Sequence, residues 1–295
     1  MRMWPIGALT VALCSSALAA TQDAGAVVAF IDFYKRWDTP EQDRATETFR
    51  KALRDVNDYE AFRRSAPPGS DTRRYFLMHL DSFEDAARLI RAGKLREDLM
   101  YEGWYAMPDN WTLAASYVAG IRKETGDTKL YTDTEWLAAR AASYWAEQTQ
   151  HPTTWQPIER PPNAGDRTIQ SAFDSLWSTP RDTIARAYFD DVTRRARTPE
   201  DFMREAPPGS AEYTKLDRVL CAYDLAGELI KFGAMNPATF FGSWQSPKEI
   251  WSAGGAWVLG LRAMSPSASG YDSAEWLVHY ETEWRGKYPA AAASH

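Results

Sequence analysis

The pentapeptide Ala66-Pro67-Pro68-Gly69-Ser70 returns letter for letter at Ala206-Pro207-Pro208-Gly209-Ser210, an offset of 140 residues. The correspondence extends in both directions without a gap. Towards the N-terminus, Phe33, Trp37, Thr39, Pro40, Phe49, Arg54, Glu60, Phe62 and Arg64 match Phe173, Trp177, Thr179, Pro180, Phe189, Arg194, Glu200, Phe202 and Arg204. Towards the C-terminus, Leu80, Gly93, Trp104, Trp111, Val118, Gly120, Arg122, Tyr131, Glu135, Trp136 and Leu137 match Leu220, Gly233, Trp244, Trp251, Val258, Gly260, Arg262, Tyr271, Glu275, Trp276 and Leu277. A period of 20 to 50 residues would mean a solenoid, whereas a unit of about 140 residues has the size of a small domain. The matches fall mostly on aromatic, aliphatic, Gly and Pro positions, as expected where a shared core and shared turns are kept. The sequence therefore predicts a tandem duplication, and a duplicated fold can pack about a pseudo-two-fold axis as an isologous dimer does.

Apolar spacing within each half is helical. Val27, Val28, Ile31, Tyr34 and Trp37 recur at steps of three and four, as do Tyr75, Phe76, His79, Leu80, Phe83, Ala86, Ala87 and Ile90. Thr39-Pro40-Glu41-Gln42 reads as a cap, a Pro in the first turn and a capping-box partner. Asp58 and Ser70 are further N-caps, Gly93 is a helix stop, and Asp133 and Asp272 stand where a last helix would open. No segment alternates with period two. The expectation is an all-α chain with about six or seven helices in each of two domains, at residues 21–147 and 168–288. Between them, residues 148–167 carry Pro152, Pro157, Pro161 and Pro162 and are expected as an extended connector, with a polar tail at 289–295.

Residues 1–20 combine Arg2, an apolar run from Trp4 to Leu13, and Ala17-Leu18-Ala19 before Ala20. That order is a secretory signal peptide, cleaved after Ala19 or Ala20, and it predicts a periplasmic or secreted protein with no transmembrane segment in the mature chain. Leu13 precedes Cys14 where lipoprotein signals carry a small residue, which argues against lipid attachment. Cleavage leaves Cys221 alone, so no intramolecular disulfide is expected despite export. A net charge of −6 and the lack of a basic run exclude nucleic acid as an expected partner.

Catalytic signatures are missing from the sequence. His79, His151, His279 and His295 never align across the repeat, and no HExxH, GxSxG, GxGxxG, P-loop or paired CxxC occurs, so no cofactor or metal is expected. The ionisable residues shared by both halves are more informative. Glu60 and Arg64, with Glu200 and Arg204, have the i,i+4 spacing of a helical ion pair. Arg122 with Glu135, and Arg262 with Glu275, stand at consecutive helix ends, where each pair either joins two helices or serves a ligand. Thirteen Trp residues are far more than average, and those the repeat does not duplicate are the better candidates for an exposed platform. Among these, Trp155 and Trp257 are taken forward as candidate binding residues beside Arg122, Glu135, Arg262 and Glu275.

The order Ala86-Ala87-Arg88-Leu89-Ile90, Gly93, Leu99, Trp104, Trp111, Ile121-Arg122, Tyr131 and Glu135-Trp136-Leu137 resembles a family of uncharacterised bacterial and phage helical proteins defined only as a domain of unknown function. The second half repeats the order from Leu229-Ile230 to Glu275-Trp276-Leu277. The resemblance implies helices and carries no activity. The sequence thus predicts an exported, non-enzymatic helical protein that binds a macromolecular partner, another protein rather than nucleic acid, or serves as a scaffold. A sharper form is an immunity-type inhibitor of a toxin delivered to the periplasm. The rival class is a cell-wall or carbohydrate-acting enzyme that uses acidic residues and exposed Trp.

Overall fold

A computed structural model describes residues 24–55, 58–104, 106–150, 162–264 and 270–289. Among them are fourteen helices and no strand, so the chain is all-α. Residues 1–23, where the sequence predicts a signal peptide, most of the Pro-rich stretch with Trp155, and the tail beyond 289 lie outside the described residues. The described residues divide into two compact units, 25–150 and 162–289.

The first unit runs α1 (24–37), α2 (Pro40–Asp55), α3 (Tyr59–Ser65), α4 (Asp71–Arg91), α5 (Glu97–Gly103), α6 (Met107–Thr125) and α7 (Thr132–Gln150). The 21-residue α4 is its axis, packed against α2 and α7, while α6 packs on α3 and α7. Local chemistry sets the boundaries. The Ser70 hydroxyl accepts the Arg73 N–H at 3.2 Å and Asp58 accepts that of Ala61 at 2.7 Å, each satisfying a first-turn amide that has no partner within its helix. After α4, Gly93 turns left-handed at φ 65° and the Lys94 N–H reaches the Leu89 carbonyl at 2.8 Å, closing the helix. The apolar faces meet in an aromatic core in which Phe76 lies 5.0 Å from Phe49 and 4.6 Å from Phe62, with Tyr117 edge-on to Phe62 at 5.4 Å. Burial of each such ring contributes about 1.5–3 kcal/mol.

The second unit runs α8 (Asp166–Leu176), α9 (Pro180–Arg195), α10 (Pro199–Glu205), α11 (Ala211–Lys231), α12 (Pro237–Phe241), α13 (Pro247–Met264) and α14 (Asp272–Lys287). Its axis is α11, also 21 residues, which packs against α9, α13 and α14. Gly227 allows this packing, because a Cβ there would collide with the Ser273 carbonyl at the start of α14. Two features of the expected connector are corrected: α7 continues to Gln150 and α8 begins at Asp166, burying Ile169 and Phe173, so both ends of 148–167 are helical.

The start of the last helix also departs from the expectation. Asp133 and Asp272 do not cap it: Asp133 pairs with Arg91 at 2.7 Å and Asp272 with Arg262 at 2.6 Å. Instead Tyr131 and Tyr271 precede α7 and α14 in the left-handed region, at φ 59° and 69°, a conformation that costs a non-glycine residue about 1–2 kcal/mol. The exposed amides are met by a carboxylate from the long helix. Glu84 of α4 accepts the N–H and hydroxyl of Thr134, both at 2.8 Å, and Asp224 of α11 accepts the Ala274 N–H at 2.9 Å. Tyr131 donates to Asp81 at 2.8 Å and Tyr271 donates to Asp217, one turn earlier on the corresponding helix. Half-buried Cys221, which is in no disulfide among the described residues, occupies the position that matches Asp81.

Burial pushes the Asp224 carboxyl up to about 6, against the pull of the Ala274 amide and of Lys231. A folded value above the unfolded one means that the contribution to stability is fully present below about pH 4 and lost as pH rises through about 6. The stability of Asp224→Asn minus that of the wild type should therefore grow by on the order of 2 kcal/mol between about pH 4 and pH 7. Urea unfolding at a series of pH values measures this, and a constant difference would contradict it.

Candidate functional site

The four charged candidates fall into two intra-unit staples. Arg122, in the last turn of α6, donates from Nε to the Leu130 carbonyl at 2.8 Å and from its terminal nitrogen to Glu135 in the first turn of α7 at 3.0 Å. Arg262, in the last turn of α13, donates to Glu275 at 2.8 Å, to Asp272 at 2.6 Å and to the Gly270 carbonyl at 3.2 Å. A cation at a helix C-terminus and a carboxylate at the next N-terminus each complement their helix dipole, and the two together fix the loop between them. Both pairs are partly solvated, so each contributes at most about 1 kcal/mol.

Trp257 does not form an exposed platform. It is fully buried, 5.1 Å from Tyr213 and 5.8 Å from Tyr271, at the position that matches core Tyr117. The matching aromatic on an apolar helix face was the sequence signal for burial. Trp155 lies outside the described residues. Glu60 and Arg64 are not the pair used in α3: Glu60 meets Arg63 at 3.8 Å, and in α10 Arg204 meets Asp201 at 2.6 Å.

Two concavities offer better sites. In the second unit, α9, α11 and the start of α13 enclose a cavity of about 170 Å³ whose walls include Trp177, Phe189, Tyr223 and Val219. A buried ion pair forms one side, with Arg218 Nε donating to Asp182 at 2.5 Å and the guanidinium 5.2 Å from the Trp177 ring. Asp182 is preorganised by the turn before α9, where it accepts the Thr179 N–H at 2.7 Å and hydroxyl at 2.6 Å. Exposed Arg186, Asp190 and Gln245 form the rim. Burial raises the Tyr223 phenol well above its ordinary value, so it stays protonated and donates to the Gln245 carbonyl at 3.2 Å.

In the first unit, α5 and α7 border an open cleft of about 480 Å³. Glu97 accepts from both Tyr101 and Arg140, Tyr144 donates to Glu102 at 2.7 Å, and Tyr101 and Tyr144 lie 5.1 Å apart. Burial alone would raise the Glu97 carboxyl, but the hydrogen bonds from Arg140 and Tyr101 hold it below the usual range. Asp98 and exposed Glu147 add negative charge to the lining, and Arg91 and Arg140 lie 4.5 and 5.5 Å over Trp136. The sequence reading missed both sites. Arg218, a charge at a buried register of α11, and Asp182, the third residue of a helix after Thr179, were the available signals.

Among the described residues no three of His, Cys, Asp and Glu converge to hold a metal ion, and no helix is long and apolar enough to cross a membrane. Residues 6–141 match the model of a domain of unknown function, DUF4760, in line with the resemblance read from the residue order. No curated protein and no solved structure matches the chain.

These assignments separate packing from surface electrostatics. Trp257→Ala should cost about 3–5 kcal/mol, whereas Glu135→Gln and Glu275→Gln should each cost less than about 1 kcal/mol. Chemical denaturation of the three variants checks the ranking, which a small loss for Trp257→Ala would refute.

Proposed function

We propose that this chain is an exported, tandemly duplicated helical protein that binds another protein, with the α5–α7 cleft receiving a basic segment of that partner. The observation that carries the reading is the lining of the cleft, which brings Glu97, Asp98 and Glu147 together with Trp136, Tyr101, Tyr144 and Arg140. Carboxylates attract an ammonium or guanidinium group, and aromatic faces hold it through their quadrupole. Arg91 and Arg140 make that contact with Trp136, and Glu97 and Asp98 are paired with Arg140 and Arg96, so a basic guest would meet exposed Glu147 and the Tyr101 and Tyr144 rings.

Duplication is supported by the 140-residue correspondence and by matching helix lengths: α2 and α9 have 16 residues, α3 and α10 have 7, and α4 and α11 have 21. Export to the periplasm or beyond rests on residues 1–20 alone. An immunity-type inhibitor of a delivered toxin is one protein of this kind. The enzymatic rival finds Glu135 and Glu275 each engaged by an arginine of its own unit.

Two measurements test the proposal. Mass spectrometry of the protein recovered from the periplasmic fraction should give an N-terminus at Ala20 or Thr21, and retention of the first twenty residues would overturn export. A fluorescence titration with a lysine- and arginine-rich peptide should saturate, and Glu147→Lys and Trp136→Ala should each weaken binding about tenfold while Glu275→Gln leaves it unchanged. Equal binding by all variants would remove the cleft from the reading.

A further inference from the structure

The aromatic box beside α4 in the first unit is filled by the chain itself. His79 lies 4.2 Å from Phe49, 5.2 Å from Phe83 and 5.5 Å from Trp37, with Nδ1 paired to the Thr46 hydroxyl at 3.2 Å. The same walls recur 140 residues later as Phe189, Tyr223 and Trp177, but the position of His79 is taken by Val219. Those three rings and Val219 line the cavity of about 170 Å³. Thus one unit carries an imidazole between its aromatic rings, and the other has a space there. A cavity of about 150 Å³ is known to be large enough for benzene, so one planar ring fits.

We propose that this cavity binds a small, neutral, planar nitrogen heterocycle of the imidazole class, seated between Trp177, Phe189 and Tyr223 with a ring nitrogen directed to Arg186. The inference goes beyond the protein-binding reading and uses only the 140-residue correspondence proposed with it. Aromatic walls select a flat ring. A nitrogen-bearing ring is favoured over a hydrocarbon because one wall is the buried Asp182–Arg218 pair and the rim carries Arg186 and Asp190. Arg186 matches Thr46, the residue that meets the His79 nitrogen in the first unit. Burial, reinforced by Arg50, lowers the His79 value to about 3, so the ring held in the first unit is uncharged.

The test is calorimetric titration of the full chain with 4-methylimidazole, the free equivalent of a histidine side chain, at about pH 9, where the ring is neutral. One site with a Kd on the order of 1 mM is expected, as suits so small a ligand. Absence of saturable binding overturns the proposal, and so does toluene binding equally well, because the nitrogen would then not be recognised. Val219→His, which supplies the ring from the chain, should abolish binding without lowering Tm; undiminished binding would place the ligand elsewhere. Arg186→Ala also gives up the 4.8 Å contact with Trp244, so its Tm is measured alongside; it should weaken binding about tenfold, an unchanged affinity refuting the assigned contact. His79→Ala opens the first box and should raise the stoichiometry to two. If only that opened box binds, the correspondence stands and the ligand assignment falls. If the wild type binds and His79→Ala adds no second site, the ligand site stands and the correspondence falls.

Discussion

In each unit the first turn of the last helix is held by a carboxylate from the middle of the longest one, Glu84 to Thr134 and Asp224 to Ala274. The helix that receives this contact starts from a left-handed tyrosine, so its entry is strained and its first amides lack a local cap. The long-range carboxylate and the tyrosine hydroxyl bonded to Asp81 or Asp217 offset that strain and fix where the last helix crosses the axis helix. The Arg122–Glu135 and Arg262–Glu275 staples then fasten the loop on its outer side. In the first unit they hold α7, one wall of the cleft.

Much of this architecture was legible in the sequence, because its signals are local. Helical periodicity, the Pro-Pro-Gly turn with Ser70 and Ser210 as caps, and the stop at Gly93 act within a few residues, and each stands where its chemistry requires. The start of the last helix was misread for the opposite reason. Asp133 and Asp272 are good caps by type and position, yet arginines take their carboxylates, while the acids that serve the amides lie 50 residues upstream. A pairing over that separation leaves no periodic trace.

Site residues divide along the same line. Arg122 with Glu135 and Arg262 with Glu275 could be paired from the sequence because only one loop separates them. Trp257 has no identical partner across the repeat, which suggested exposure, but its match to Tyr117 on an apolar helix face is the signal that holds. Gly254 and Gly255 lie one turn before Trp257, where the first unit has Ala114 and Ala115, and Gly254 faces Phe189 closely enough that a Cβ would clash. The two concavities depend on which residues meet across helices, and no spacing rule encodes that.

The two units differ in what lies beside the axis helix. Where the second unit has Asp182, Arg218 and Val219, the first has Gln42, Met78 and His79. An ion pair as deeply buried as Asp182–Arg218 loses more hydration than a Gln–Met pair, and such a pair is often no more stabilising than an apolar replacement. Its retention is easier to understand where other groups support it. Thr179 contributes two hydrogen bonds to Asp182, and Trp177 offers its ring to Arg218. The first unit follows the less polar course: His79 fills the space as a neutral ring, and the Gln42 amide nitrogen has no hydrogen-bond partner among the described residues. One packing scheme thus accommodates both a closed aromatic box and an open, charge-lined one. The charge comes from Asp182 and Arg218, and the filling from the imidazole that α4 provides and α11 does not.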